Sequence, residues 1–234
     1  MDYDEIYENT EHVFGPDPED ILAGYYRGID RLKPVLDIGA GQGRNALFLA
    51  REGYVVDALD PSKVALDALS EIARHEDLTI RTHHSGFESF QPRVPYSGIL
   101  LFGLIPEHPW GTIEHLLTKI DTWSFQGTIL FVTAFTTDDP AFPLHLKTWN
   151  AIGKNSFQSE QGQVRTYLRS GELLCLFHRW SVVHYWEGMG PEHRHGEGPP
   201  ERHGKVEAVF QRLHPVEKDL PLLAAAEELP KVGT

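Results

Sequence analysis

Cysteine is nearly absent: Cys175 is the one such residue in 234. That excludes an intrachain disulfide framework and fits a reducing compartment. The thiol reads either as a small buried residue on a helix or as a catalytic nucleophile. Long apolar runs are missing as well. The longest, residues 98–106 (GILLFGLIP), falls far short of the roughly 20 residues needed to span a bilayer. The first 26 residues hold eight acidic side chains and no lysine or arginine, the reverse of a secretory or transit leader. A soluble, cytoplasmic protein with no membrane partner is expected. Basic residues are also outnumbered, 21 against 34 acidic ones, for a formal net charge of −13. This disfavours a nucleic-acid partner, because affinity for phosphate backbones comes largely from Lys and Arg. Of that charge −8 sits in the first 26 residues and −5 after them, so the sign of a small substrate stays open.

What is present is a strand–helix rhythm. VLDIG (35–39), YVVDAL (54–59), LTIRT (78–82), GILLFG (98–103) and GTILFVTAF (127–135) read as strands. Helices are predicted over 3–14, 19–32, 45–52, 62–74 and 110–121. This alternation builds an α/β, doubly wound, Rossmann-like sheet that is mainly parallel. After a helix at 171–177, segments 180–186 and 205–212 complete seven strands as an antiparallel C-terminal hairpin. A single domain over residues 1–214 is expected, with 136–170 inserted as a cap over the sheet's carboxyl edge and 215–234 as a tail.

Between the first strand and its helix stands Asp37-Ile38-Gly39-Ala40-Gly41-Gln42-Gly43-Arg44. Glycines let a backbone turn sharply and approach a ligand, and the helix N-terminus offers unpaired N–H groups. The dinucleotide fingerprint wants a third small residue, where this chain has Arg44, so the fit to NAD is poor. A phosphate-binding loop fails because no Lys-Ser or Lys-Thr pair follows. Asp37 would repel a pyrophosphate and suits a cation. Asp60, at the end of the second strand, has two readings: acceptor for a ribose diol, or N-cap of the helix that opens at Pro61. Asp57 faces the other way by strand alternation, as a salt-bridge or surface acid.

The stretch from Asp37 to Gly43, with Asp60 downstream, resembles the class I S-adenosylmethionine-dependent methyltransferases. Gly43-Arg44-Asn45, the run from Gly53 to Asp60, and Gly171-Glu172-Leu173 followed by Trp180, Tyr185 and Glu187 resemble their tellurite-resistance (TehB) subgroup. The resemblance implies S-adenosyl-L-methionine as cofactor and S-adenosyl-L-homocysteine as product. It implies a cradle of Asp37, Gly39, Ala40, Gly41, Gly43 and Asn45, with Asp60 on the ribose and Pro61 and Ser62 along the adenosine. Ser85, Gly86 and Phe87 would lie near the adenine, where many such enzymes place an acid and this chain offers none before Glu88. Phe102 reads equally as pocket floor or as strand-end packing. Tyr7, with Tyr3 and Phe14, makes residues 1–32 an N-terminal helical lid. On the acceptor side the resemblance points to His193 and Arg194, with Arg202 as a second guanidinium. His108 and Arg165 join them from the fourth strand's exit and the cap.

The implied activity is direct in-line methyl transfer to a small molecule or small anion, with tellurite, selenite or a thiol as candidates. No base-methylating tetrad follows the fourth strand, where Gly103-Leu104-Ile105-Pro106 stands instead. The histidine-rich stretch 187–204 has three readings: surface loop, active-site loop, or metal ligands through His193, His195 and His203. No metal is expected. A nicotinamide-dependent oxidoreductase and a catalytically silent nucleoside-cofactor-binding protein are the alternatives. Either a monomer or a homodimer fits.

Overall fold

The structure, a computed structural model, describes residues 4, 6, 7, 10, 13, 15–192 and 201–213. Its strands are β1 (Val35–Ile38), β2 (Val56–Asp60), β3 (Ile80–His84), β4 (Tyr96–Leu101), β5 (Ser124–Phe135), β6 (Asn150–Gly153), β7 (Ser156–Gln158), β8 (Val164–Thr166), β9 (Trp180–Met189) and β10 (Gly204–Arg212). The helices are α1 (Asp20–Tyr25), α2 (Arg44–Arg51), α3 (Lys63–His75), α4 (Trp110–Trp123), α5 (Phe142–Thr148) and α6 (Glu172–Leu176). Seven strands form one sheet in the order β3-β2-β1-β4-β5-β10-β9. The first five run parallel, and β10 is antiparallel to both β5 and β9. This is the expected mainly parallel sheet with its C-terminal hairpin.

Strands β1, β2 and β4 are buried along their whole length, because helices cover both faces of the sheet. On one face α1, α2 and α3 pack over Val35, Val56, Leu100 and Phe131. On the other, α4 and α6 pack over Leu36, Ile99, Leu130 and Phe210. Gly98 of β4 packs closely against the first of these layers: a Cβ there would stand 3.0 Å from Ile29 and 3.1 Å from Val35. A larger residue would require Ile29 or Val35 to give way.

Several local expectations change. The helix expected over 19–32 is only α1 and a 3-10 turn over Tyr26–Gly28, since the Tyr26 carbonyl is taken by the Tyr54 hydroxyl and the Ile29 N–H. The cap segment is not a plain loop. It folds into α5 and a small antiparallel sheet, β6-β7-β8, and returns to the main sheet where Leu168 N–H donates to the Phe135 carbonyl. Cys175 sits on α6 but is exposed, not buried. Asp57 is a salt-bridge acid but no surface one. It is 4% exposed and takes both Arg81 Nε (2.6 Å) and the Tyr96 hydroxyl (2.9 Å). Among the described residues no helix is long and apolar enough to cross a membrane. The segments expected as helix 3–14 and as the tail 215–234 lie wholly or largely outside the described residues.

Candidate active site

Strand order reverses between β1 and β4, whose carboxyl ends open the crevice where ligands of open α/β sheets bind. The glycine turn lies there. Gly39 N–H (2.8 Å) and Ala40 N–H (3.1 Å) both donate to the Leu59 carbonyl, tying the turn to the end of β2. Gly39, Gly41 and Gly43 all have positive φ, at 74°, 52° and 84°. Gly43 is the most constrained, because a Cβ there would overlap Leu69 of α3. The turn therefore needs glycine for both conformation and space.

Asp60 clamps this turn. Its Oδ2 accepts from Gly41 N–H (2.7 Å) and its Oδ1 from Ser62 N–H (2.8 Å). The capping role belongs to Ser62, whose hydroxyl accepts from Ala65 N–H at 3.1 Å. Asp37, on β1, is 2% exposed, and its Oδ2 has no hydrogen-bond partner. Burial, with Asp60 nearby, pushes its carboxyl up to about 7, against a smaller opposing pull from Arg44. Burial also raises Asp60. A buried acid with an orphaned oxygen is a strong acceptor site for a cationic group.

The N-terminal residues that are described lie against this turn. The Tyr7 hydroxyl comes within 2.8 Å of where a Cβ on Gly41 would stand. Ser62 Oγ donates to the Asp4 carboxylate. Gln42 bridges the Thr10 carbonyl (2.8 Å) and the Val13 N–H (3.0 Å). Asn45 is differently used: its Oδ1 accepts from Glu19 N–H at 2.9 Å, so it positions α1. Arg44 pairs with Glu19 on the same path. Pro61 is exposed, and its carbonyl takes His84 Nε2 at 2.9 Å.

Beyond β3, the Ser85 hydroxyl turns back to the Gly86 carbonyl (2.9 Å) and to Ser89 (2.8 Å). Phe87 is buried, with its ring edge-on to His108 at 5.4 Å. Glu88, which sequence spacing placed too late, folds back over Gly86, its Oε2 2.6 Å from where a Cβ would stand. Phe102 is partly buried and lies against Phe131 with ring centroids 6.3 Å apart.

A second cluster forms at the exits of β4 and β5. Leu104 comes within 3.2 Å of a Cβ placed on Gly39, so this segment borders the glycine turn. Three residues on, Glu107 pairs with Arg165 of β8 at 2.5 Å. Thr166 donates to the His108 carbonyl (2.7 Å), docking the cap on the β4 exit. Burial lowers His108 and raises Glu107. Nearby, the Tyr167 hydroxyl meets His145 Nδ1 at 2.8 Å. His203 Nδ1 donates to the buried Asp139 at 2.8 Å and stacks on Phe135.

Arg202 donates from Nε to the Gly190 carbonyl (3.0 Å), fastening the hairpin's two sides. His193 and Arg194 lie outside the described residues. Glu107, Asp139 and His145 were missed from sequence. They belong to three separate segments, and no spacing rule joins them.

The family model described as "Tellurite resistance protein TehB" matches residues 26–199. "Hemagglutinin 1" of Eikenella corrodens is 27% identical over 156 residues, 66% of this chain and 49% of that protein. A "probable S-adenosyl-L-methionine-dependent methyltransferase TehB" of Haemophilus influenzae is 26% identical over 167 residues, 70% of this chain and 51% of that protein. The chain thus spans about half the length of the curated relatives it matches. The crystal structure of TehB from Haemophilus influenzae superposes with a TM-score of 0.61 at 20% identity, covering 77% of this chain and 57% of the other. A methyltransferase structure from Methanosarcina mazei gives 0.65 at 17% identity, over 85% and 99%. At these identities the structures establish a shared fold.

Proposed function

The chain belongs to the tellurite resistance protein TehB family, and from that premise we propose that it transfers a methyl group from S-adenosyl-L-methionine to a small molecule or small anion. The observation that carries this reading is the buried Asp37 carboxylate, with its orphaned oxygen two residues before Gly39. S-Adenosyl-L-methionine supplies an electrophilic methyl group on a sulfonium centre, so the reaction needs no covalent enzyme intermediate.

The chain's own residues bind and orient. Asp37 takes the cationic amino end of the cofactor, and Gly39, Ala40, Gly41 and Gly43 hold the backbone close to it. Asp60 takes the ribose hydroxyls on the lone pairs that Gly41 and Ser62 leave open. Pro61, Ser62, Ser85, Gly86 and Phe87 flank the adenosine, with Glu88 as the acid for the adenine amine. Tyr7 covers the turn, and Phe102 packs the pocket floor. Asn45 serves by fixing α1 and its approach to the turn.

On the acceptor side Arg165 and His108 lie beside the β4 exit. His193, Arg194 and Arg202 remain assigned there by the family resemblance. The acceptor is a tellurite- or selenite-like oxyanion, or a thiol. Methyl transfer rates depend chiefly on placing such an acceptor in line with the methyl group.

Titration of tryptophan fluorescence with S-adenosyl-L-methionine, S-adenosyl-L-homocysteine and NAD tests the cofactor. Both methyl cofactors should bind and NAD should not. No response to either methyl cofactor at high micromolar concentration sinks the proposal. Transfer of a labelled methyl group to selenite, tellurite, small thiols and amines then identifies the acceptor and separates an enzyme from a silent binder.

A further inference from the structure

Within the methyltransferase reading, we infer that His145 and Arg165 form an oxyanion subsite, in which the imidazole Nε2–H and the outer guanidinium N–H groups hold one small acceptor with at least two oxygens. The tautomer decides the imidazole's role. Tyr167 is buried, and burial together with Asp139 raises its phenol well above the ordinary range, so it keeps its proton. Its hydroxyl lies 2.8 Å from His145 Nδ1, and no other described residue accepts from it. The hydroxyl therefore donates to Nδ1, which leaves the ring hydrogen on Nε2. His145 is thus a donor at that edge and no base.

The ring is held in a fixed plane. It stacks on Trp149 with centroids 3.9 Å apart and planes 20° from parallel. Burial and the nearby Arg165 charge lower His145, so the imidazole is neutral at neutral pH. Arg165 is equally fixed. Its Nη1 donates to Glu107 (2.5 Å) and to the Val164 carbonyl (3.0 Å). Among the described residues nothing takes Arg165 Nε or Nη2, or His145 Nε2. Asp139, the other acid near the ring, is engaged by His203 and by Ala141 N–H (2.8 Å).

Arg165 is therefore anchored to the β4 exit through Glu107, and His145 to the end of β8 through Tyr167, two residues on from Arg165; Leu104 at that exit borders Gly39. A planar guanidinium and an imidazole N–H match an oxyanion's separated lone pairs. A neutral thiol offers no such pair.

Sodium selenite is the probe, titrated by calorimetry into the full chain with and without S-adenosyl-L-homocysteine. Wild type should bind it, and Arg165→Gln should bind about tenfold more weakly, the effect of losing one charge-assisted contact. His145→Gln keeps a donor near Nε2 and should retain most affinity and turnover, while His145→Leu should lose both. Nitrogen-15 spectra of the His145 ring should show the Nε2–H tautomer, and Tyr167→Phe should release that preference. Unchanged cofactor affinity in each variant certifies the fold. Equal losses in His145→Gln and His145→Leu, an Nδ1–H tautomer in wild type, or selenite binding indifferent to Arg165→Gln would each overturn the subsite. Failure to bind S-adenosyl-L-homocysteine defeats the cofactor reading instead, and the cofactor-free titration still judges the subsite. A chain that binds the cofactor but not selenite defeats the subsite alone.

Discussion

Asp37 is held at the end of β1 against its own electrostatics. Its folded carboxyl lies near 7 while an unfolded one titrates at 3.8, so between those values the folded state binds the extra proton. Stability contributed by this group accordingly falls as pH rises from about 4 to about 7. Asp37→Asn should remove that slope and raise stability at pH 8 by about 1–4 kcal/mol, read from urea melts at several pH values. The same change should weaken S-adenosyl-L-methionine binding. In wild type, affinity for that cation should rise as pH passes upward through 7, the opposite direction from stability. Asp60→Ala should weaken cofactor binding by about 1–3 kcal/mol, because it removes both an acceptor and the clamp on Gly41 and Ser62. Unchanged affinity in fluorescence titration would leave Asp60 as a backbone clamp only. Sequence could place these two acids at strand ends but could not assign the cap. Asp60 and Ser62 both stand at the right spacing, and only the side-chain directions give capping to Ser62.

Among the elements, the late signature turns out to be a lock between α6 and β9. Gly171, with φ of 71°, opens α6, and its N–H donates to Glu187 on β9 at 3.0 Å. The Tyr185 hydroxyl donates to the same carboxylate oxygen. Two residues of one strand thus fix a left-handed turn sixteen positions earlier in the chain. Glu187→Ala should lower unfolding free energy by about 1–3 kcal/mol, the scale of stranding polar partners, and leave cofactor affinity unaltered. A shifted cofactor affinity would make the lock part of the site. The strands of the sheet were legible because a parallel strand covered on both faces must be apolar throughout. The cap was not. Its strands β6, β7 and β8 are only three or four residues long, too short for a period to register. They are ordered by docking, through Thr166 on His108 and Arg165 on Glu107.

For the whole molecule, that docking joins the two halves of the site. Thr166→Val keeps the side chain's volume but leaves the His108 carbonyl and the Ser156 hydroxyl (2.7 Å) without this partner. It should cost about 1–2 kcal/mol. Hydrogen exchange should speed up over residues 150–166 while β1 and β4 stay protected; uniform acceleration would mean that cap and sheet open together. The net charge of −13 also gains a location. Asp4 lies on Ser62 and adds to the field at Asp60, so part of the N-terminal acidity faces the glycine turn.

Local chemistry was written in the residues themselves: glycines that tolerate positive φ, acids toward the ends of β1 and β2, and apolar runs that only a covered sheet can hide. Those features depend on a few neighbouring positions, so the sequence by itself determined the α/β alternation, the turn and the family. The acceptor side depends on pairs such as Glu107 with Arg165, Tyr167 with His145 and Asp139 with His203, which lie 58, 22 and 64 positions apart. Only strand order and the docking of the cap bring them together. Contacts between side chains so distant leave no period in the chain, and the tertiary structure alone decided them.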